Sequence, residues 1–495
     1  MEELYKIAKL VTKSVNLSLV LPIANSRYGK EDALYDGIKK GIYSSDEDAA
    51  RSLYNSSPND VRYKMLKHRL KKKLLNNLLF LDYSKLGSKG YFVKDQACLL
   101  MLQQAYILKL NYEFDVVLSL VSKILTIAEE YDFTNHKVAA LELSVACYSE
   151  KGQLKQFNKT LTDFEMALKK RNLEFRAINM FQSVSVNLKK SVTARKRLLP
   201  NIPGMLRTLE ELWHEAKTFA TFEAYYKTSI SYYELTGSFD KIVEMTVNAG
   251  KWVEEGIINP LRFESNYNKF IIVYAHLRNK DYANGLVYAE KFSMAFKEGF
   301  LNWFAYMENY FLLSMHSNQL SLSEILLHKV FTNSSFHKIS NTAKERWSLY
   351  QMYYRVLSLN SHTSKEVFIN PYNLSLPEYS KDKLGFNVAI LILQFIYFLQ
   401  KEDSEALLYR IESLKKYILT HLKDTFSLRS KTFLRLLILT VTEDFNVDAC
   451  RSKGKKLYLK LIDTPTPGDA YAEIEIVPYE HLWEHILSIL EKQAT

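Results

Sequence analysis

Along most of this chain apolar residues recur every three or four positions, in stretches long enough for helices, and short polar breaks followed by one anchoring residue cut the stretches apart. The breaks are Asn111-Tyr-Glu-Phe114, Glu150-Lys-Gly-Gln-Leu154, Leu235-Thr-Gly-Ser-Phe239, Arg278-Asn-Lys-Asp-Tyr282, Gln400-Lys-Glu-Asp-Ser404 and Glu443-Asp-Phe445. Successive anchors lie 40, 85, 43, 122 and 41 residues apart, near one, two, one, three and one multiples of about 41. Further breaks at Arg195–Pro200, Ser317–Leu320 and Asn360–Thr363 fill the gaps in the series. The period predicts an all-α fold in which antiparallel helix pairs stack over residues 89–462, because a stacked core grows in one dimension where a single globular core of this length would not.

The two ends depart from this rhythm. Residues 1–88 read as a small helical region, with helices over 2–13, 31–40 and 46–54, the last opened by a capping-box pattern, Ser44-x-x-Glu47. Pro58 stands at an expected first helical position with Asp60 near the helix dipole, starting a long helix with Val61, Met65, Leu66, Leu70, Leu74, Leu75, Leu78 and Leu79 as its apolar positions. Toward the C-terminus, at the end of residues 89–462 and within the capping segment 463–495, Lys455–Ile462 and Ala472–Val477 alternate apolar and polar residues around Pro465, Pro467 and Gly468, which reads as a β-hairpin. The first of these runs also reads as the end of the last repeat helix, and a final helix over 479–493 closes the stack.

Composition narrows the class. Only 15 glycines and 10 prolines occur in 495 residues, too few for the turns of an all-β fold. The 33 tyrosines and 27 phenylalanines read first as wedges between helices. Cys98, Cys147 and Cys450 form no Cys-x-x-Cys pair, so neither a disulfide framework nor a zinc module is expected. The amino terminus carries Glu2 and Glu3 and a short apolar run with Ser18 and Pro22, a poor secretory signal, which makes cytoplasm the expected compartment. The most apolar stretch, Val388–Leu399, contains Gln394 and is shorter than the ~18 residues a membrane span needs.

Charge is unevenly placed. Arg62, Lys64, Lys67, Arg69, Lys71, Lys72 and Lys73 fall in twelve residues without an acid, and Lys169–Arg197 holds nine bases against Glu174. The two segments together carry +15 against a net +11, so the remainder is −4. Such local fields suit an anionic partner, and the candidate contacts are the seven bases above with Lys189, Lys190, Arg195, Lys196 and Arg197.

The segments Tyr274-Ala-His-Leu277, Asp281-Tyr-Ala283 and Ala289, with the copies at Tyr233, Gly237, Phe239 and Tyr148, Gly152, Leu154, resemble tetratricopeptide repeats. That resemblance implies a right-handed α-solenoid whose concave face binds protein, although the period exceeds the ~34 residues usual in the family. The stretch Glu47-Asp-Ala-Ala50 followed by Val61–Leu74 resembles the helix-turn-helix at the DNA-reading end of bacterial sigma factors. It implies Ala50 at a tight helix crossing and Arg62, Lys64, Lys67 and Arg69 at the duplex. The alternative for the same region is an N-terminal cap whose long helix shields the first repeat.

Catalytic motifs do not emerge: there is no phosphate-binding glycine loop, nucleophile elbow or His-Glu-x-x-His. His481 and His485 share a helical face without a third metal ligand nearby in sequence, and neither a metal nor a cofactor is expected. Acid pairs such as Glu129-Glu130, Glu210-Glu211 and Glu254-Glu255 diverge around their helices by ~100°. The reading is a non-enzymatic adaptor that holds a protein or peptide on its concave face, with Tyr225, Tyr226, Tyr267, Asn268, Tyr306, Asn309 and Tyr310 as groove candidates. The alternative is a nucleic-acid-associated regulator that uses the basic helix over 58–81 and the repeats as its sensor.

Overall fold

A computed structural model describes residues 1–14, 29–83, 89–189, 197–358, 386–422, 428–464 and 475–494. Among them are 21 α-helices and no strand. No helix among the described residues is long and apolar enough to cross a membrane. The chain divides into two compact units, Met1–Phe175 with Asn259–Arg262, and Arg176–Ile258 with Phe263–Thr495.

In the first unit, α1 (Glu2–Ser14), α2 (Lys30–Lys39), α3 (Asp46–Tyr54) and α4 (Val61–Asn77) enclose a small core that includes Leu4, Leu34, Ile38, Ala50, Tyr63, Leu66, Leu70 and Leu74. Ala49 and Ala50 are fully buried, which lets α3 approach its neighbours closely. Two caps differ from the expected ones by a residue or more. Ser45, not Ser44, caps α3, exchanging hydrogen bonds with Asp48, because its side chain stands three residues before the N–H it must reach. Helix α4 begins at Val61, not at Pro58, because the Asp60 carboxylate accepts from the Arg62 N–H and caps it there. Next come α5 (Gly90–Leu110), α6 (Phe114–Glu130), α7 (Thr134–Glu150) and the start of the 35-residue α8 (Leu154–Leu188), with Cys98, Leu102, Val117, Val121, Ile124 and Cys147 between them.

The second unit continues with α9 (Ile202–Ala216), α10 (Phe219–Thr236), α11 (Phe239–Glu254), α12 (Ser265–Arg278), α13 (Tyr282–Phe292), α14 (Leu301–His316), α15 (Leu320–Phe331) and α16 (Asn341–Ser358). It ends with α17 (Phe386–Gln400), α18 (Ser404–His421), α19 (Leu428–Thr442), α20 (Val447–Asp463) and α21 (Tyr479–Ala494). Each of these helices packs on the next. Val388–Leu399, the most apolar stretch, is buried as most of α17.

All six breaks named first in the sequence are turns between helices, and the turns share one geometry. Tyr112, Asp132, Gly152, Gly237, Lys280, Asn318, Glu402 and Asp444 take left-handed backbone, φ 49–73°. In each case the following N–H reaches the carbonyl five residues back, from Glu113 to Leu108 at 3.1 Å through Phe445 to Thr440 at 3.0 Å. This closure satisfies carbonyls that a helix end leaves bare. Tyr112, Asp132 and Gly152 stand 20 residues apart, so one helix with its turn takes about half of the 41-residue interval. The break at Ser317–Leu320 is also such a turn. That at Asn360–Thr363, and Arg195 and Lys196 of the remaining one, lie outside the described residues.

The C-terminal hairpin is not formed. Lys455–Ile462 lies within α20, where local helix propensity and burial of Leu461 win over the alternating pattern. Ala472–Ile474, with Pro465, Pro467 and Gly468, lies outside the described residues, and Glu475–Val477 is not a strand. What organises this end is Arg429 of α19, 2% exposed. Its guanidinium donates to Glu475 at 2.9 Å, to Glu480 at 2.8 Å, and to the carbonyls of Leu461 and Thr464. Burial opposes both charges, but the two carboxylates hold the guanidinium well above its ordinary range, and the guanidinium holds Glu480 below its own.

The shared turn can be tested at Gly152, where φ is +65° and an added Cβ would meet nothing within 4 Å. Gly152→Ala is expected to lower stability by about 1 kcal/mol through backbone conformation alone. Gly204→Ala, in a helix with equal space, should be neutral or stabilising. The denaturant midpoints of the two variants, compared with the unaltered chain, separate these outcomes.

Candidate functional site: an aromatic pocket on α10 and α12

Phe219, Phe222, Glu223, Tyr226 and Lys227 follow the spacing i, i+3, i+4, i+7, i+8, which places them on one face of α10. Phe263, Glu264 and Tyr267 come from the entry and first turn of α12, and the eight residues together line an open pocket of about 240 Å³. Its size is near the lower end of ligand pockets and suits a single large side chain. Phe222, Tyr226 and Phe263 stand with ring centroids 5.5–6.2 Å apart, tilted or edge-on, and form the aromatic wall.

A hydrogen-bond relay holds the two helices in register. The buried Tyr226 hydroxyl donates to Asn268 Oδ1 at 2.7 Å, and Asn268 Nδ2 donates to the Thr246 carbonyl of α11 at 3.0 Å. The amide of Asn268 is thus satisfied on both sides inside the protein, as a buried polar group requires. Burial first, and then neighbouring Tyr267, pushes the Tyr226 hydroxyl far above its usual range, so it stays a neutral donor. At the rim, Lys227 Nζ pairs with Glu223 at 2.6 Å, so the charged lining residues sum to one negative charge with Glu264.

Of the expected groove residues, Tyr226, Tyr267 and Asn268 come together here; Tyr226 and Tyr267 line the pocket and Asn268 braces it. Tyr225, one position further round α10, stacks on Trp213 and donates to Glu210 at 3.3 Å. Tyr306, Asn309 and Tyr310 of α14 are buried and are not part of this pocket: Tyr306 stacks on Phe296 at 4.2 Å and donates to the Ala289 carbonyl. Phe219, Phe222, Glu223 and Lys227 were absent from the sequence-based set. Their helical spacing was the available signal, but it reads equally as core until the position of Phe263 is known.

The basic helix α4 is sorted into two sets. Arg62 pairs with Asp60 at 2.7 Å, Lys67 with Asp46 at 2.7 Å, Lys71 with Glu3 at 2.7 Å and Lys73 with Glu31 at 2.8 Å, three of these tying α4 to α1, α2 and α3. Lys64, Arg69 and Lys72 point outward on the exposed face. In the second basic run Lys189 and Arg197 are exposed, while Lys190, Arg195 and Lys196 lie outside the described residues. His485 is half-buried, and burial, then Lys492, lowers it to about 4, whereas His481, one turn earlier, is exposed.

No protein family model matches the chain, and no curated protein or solved structure is significantly similar to it.

Asp46 makes the α4 pairing pH-dependent. Burial raises its pKa, but hydrogen bonds from Lys67, Tyr63 and the Met1 amino group outweigh that and hold it at about 2, against an ordinary 3.8. A depressed carboxyl stabilises the fold above its unfolded pKa and ceases to do so as pH falls through the folded one. Asp46→Asn is therefore expected to cost about 1–2 kcal/mol near neutral pH, allowing for partial exposure, and the difference should vanish between pH ~4 and ~2. Amide hydrogen exchange of α3 and α4 across that window reads the effect.

Proposed function

We propose that this chain is a non-enzymatic cytoplasmic adaptor, a right-handed tetratricopeptide-like α-solenoid of antiparallel helix pairs that holds a peptide segment of a protein partner on its concave face. The observation that supports this reading is the pocket on α10 and α12, lined by five aromatic residues and open to solvent. In the repeat reading α10 and α12 precede the breaks at Leu235–Phe239 and Arg278–Tyr282, which makes them the first helices of their pairs, the position that lines the inner face of such a stack. The occupant best matched to it is an arginine or lysine side chain. Aromatic faces attract a cation by ~0.5–2 kcal/mol. A nucleic-acid-associated regulator has less support, since four of the seven bases in α4 are matched to carboxylates of the same chain.

An array of otherwise identical host peptides with Arg, Lys, Leu or Glu at the central position tests the reading. The Arg and Lys peptides are expected to bind best, and Phe263→Ala or Tyr267→Ala should weaken them by ~5–30-fold, the loss of one or two cation–π contacts. Equal binding by the pocket variants and the unaltered chain would remove the pocket from the account.

A further inference from the structure

Helix α5 carries an apolar face that nothing in the described structure covers. Phe92, Leu99, Leu100, Tyr106, Ile107 and Leu110 are 39–79% exposed, and their spacing places them in one stripe along 18 residues, a length of ~27 Å. The opposite face, with Cys98, Leu102 and Ala105, is already buried in the core with α6 and α7. Monomeric surfaces scatter their large apolar residues singly, and a continuous stripe marks a contact site.

The stripe has a trough and a charged flank. Leu79, Phe80 and Tyr83, just past α4, stand across from Val93, Leu99 and Leu100 of α5 and bound a cleft of about 520 Å³. Leu79 also ends the exposed face of α4, where Val61, Met65 and Leu75 stand outward among Lys64, Arg69 and Lys72. Among the described residues these three bases have no carboxylate partner, unlike the four others on the helix. The charged residue in the cleft lining is Asp82, and the positive charge lies beyond the cleft, on the exposed face of α4 that Leu79 ends.

We propose that this face of α5, with the cleft beside Leu79 and Phe80, docks an amphipathic helix of a partner protein, whose apolar seam fills the cleft and whose acidic flank meets Lys64, Arg69 and Lys72. A helix laid along a trough supplies anchors at i, i+3, i+4 and i+7 that match the stripe. Three alternatives fit less well. A phosphate backbone has no use for the large apolar residues between the bases. Acyl chains would strip Gln103, which sits in the cleft, of hydrogen-bonding partners that a peptide can replace. A second copy of the chain would present the same positive charge.

The probes are two fluorescent helical peptides with the same Leu/Ile seam, one flanked by Glu and the other by Lys, titrated into the full chain by anisotropy. The acidic peptide is expected to bind at least tenfold more tightly. Leu99→Ser with Ile107→Ser, both exposed, should abolish binding, and Arg69→Glu with Lys72→Glu should cancel or invert the preference without abolishing the apolar contact. Equal binding of both peptides, binding of neither, or binding that survives Leu99→Ser with Ile107→Ser overturns the proposal. Self-association lost in that same variant, or preference for anionic vesicles or duplex DNA over the acidic peptide, overturns it as well.

Discussion

A left-handed residue at the end of a helix, followed by an N–H that reaches back five residues, is the constraint from which the rest of the chain is built. Among the described residues it appears at ten helix ends, and four of them use glycine, Gly41, Gly152, Gly237 and Gly256. At the other six a side chain such as Lys280 or Glu402 sits in a conformation that costs about 1–2 kcal/mol. The cost is tolerated because the closure satisfies helix carbonyls and starts the next helix within two or three residues, so that consecutive helices bury their apolar faces against each other. Chain direction reverses at each such turn, which brings the next helix back against the one before it.

Aromatic residues take two roles within that frame, and the difference is one of position around the helix. Tyr306, Tyr350 and Tyr353 are fully buried, with hydroxyls donating to the Ala289 carbonyl, Glu308 and the Ala389 carbonyl. They behave as large core residues whose polar tip has found a partner. Tyr226 is equally buried, yet one side of it faces a pocket because Phe263 and Tyr267 approach from the entry of α12 without filling the space. The relay from Tyr226 through Asn268 to Thr246 keeps that space from collapsing.

The charged residues divide in a similar way. Seven bases on α4 looked like one field, but Asp46, Asp60, Glu3 and Glu31 take four of them, three across helix interfaces. At the other end of the chain Arg429 gathers Glu475, Glu480 and two carbonyls around one guanidinium, and a pattern that read as a hairpin is instead helix ending at that guanidinium. Both clusters hold termini of the chain's helices in place. The three outward bases on α4 and the bare stripe of α5 are what remains for a partner.

The sequence by itself determined the all-α class, though not the absence of a hairpin at Lys455–Ile462, the turns at its named breaks, though not the one at Asp132, and the boundaries of α3 and α21 to within a residue or so. These depend on hydrogen bonds that span five residues and on apolar spacing within a single helix, both written locally. Tertiary structure alone decided which tyrosines reach solvent, which lysines are neutralised and that Phe222 meets Phe263. Those outcomes depend on residues tens of positions apart, and their side chains carry the same local pattern whether they end in a core, an ion pair or a pocket. The exposed stripe of α5 shows the limit most clearly: an apolar face reads as buried in any sequence, and only the absence of a neighbour among the described helices turns it into a surface.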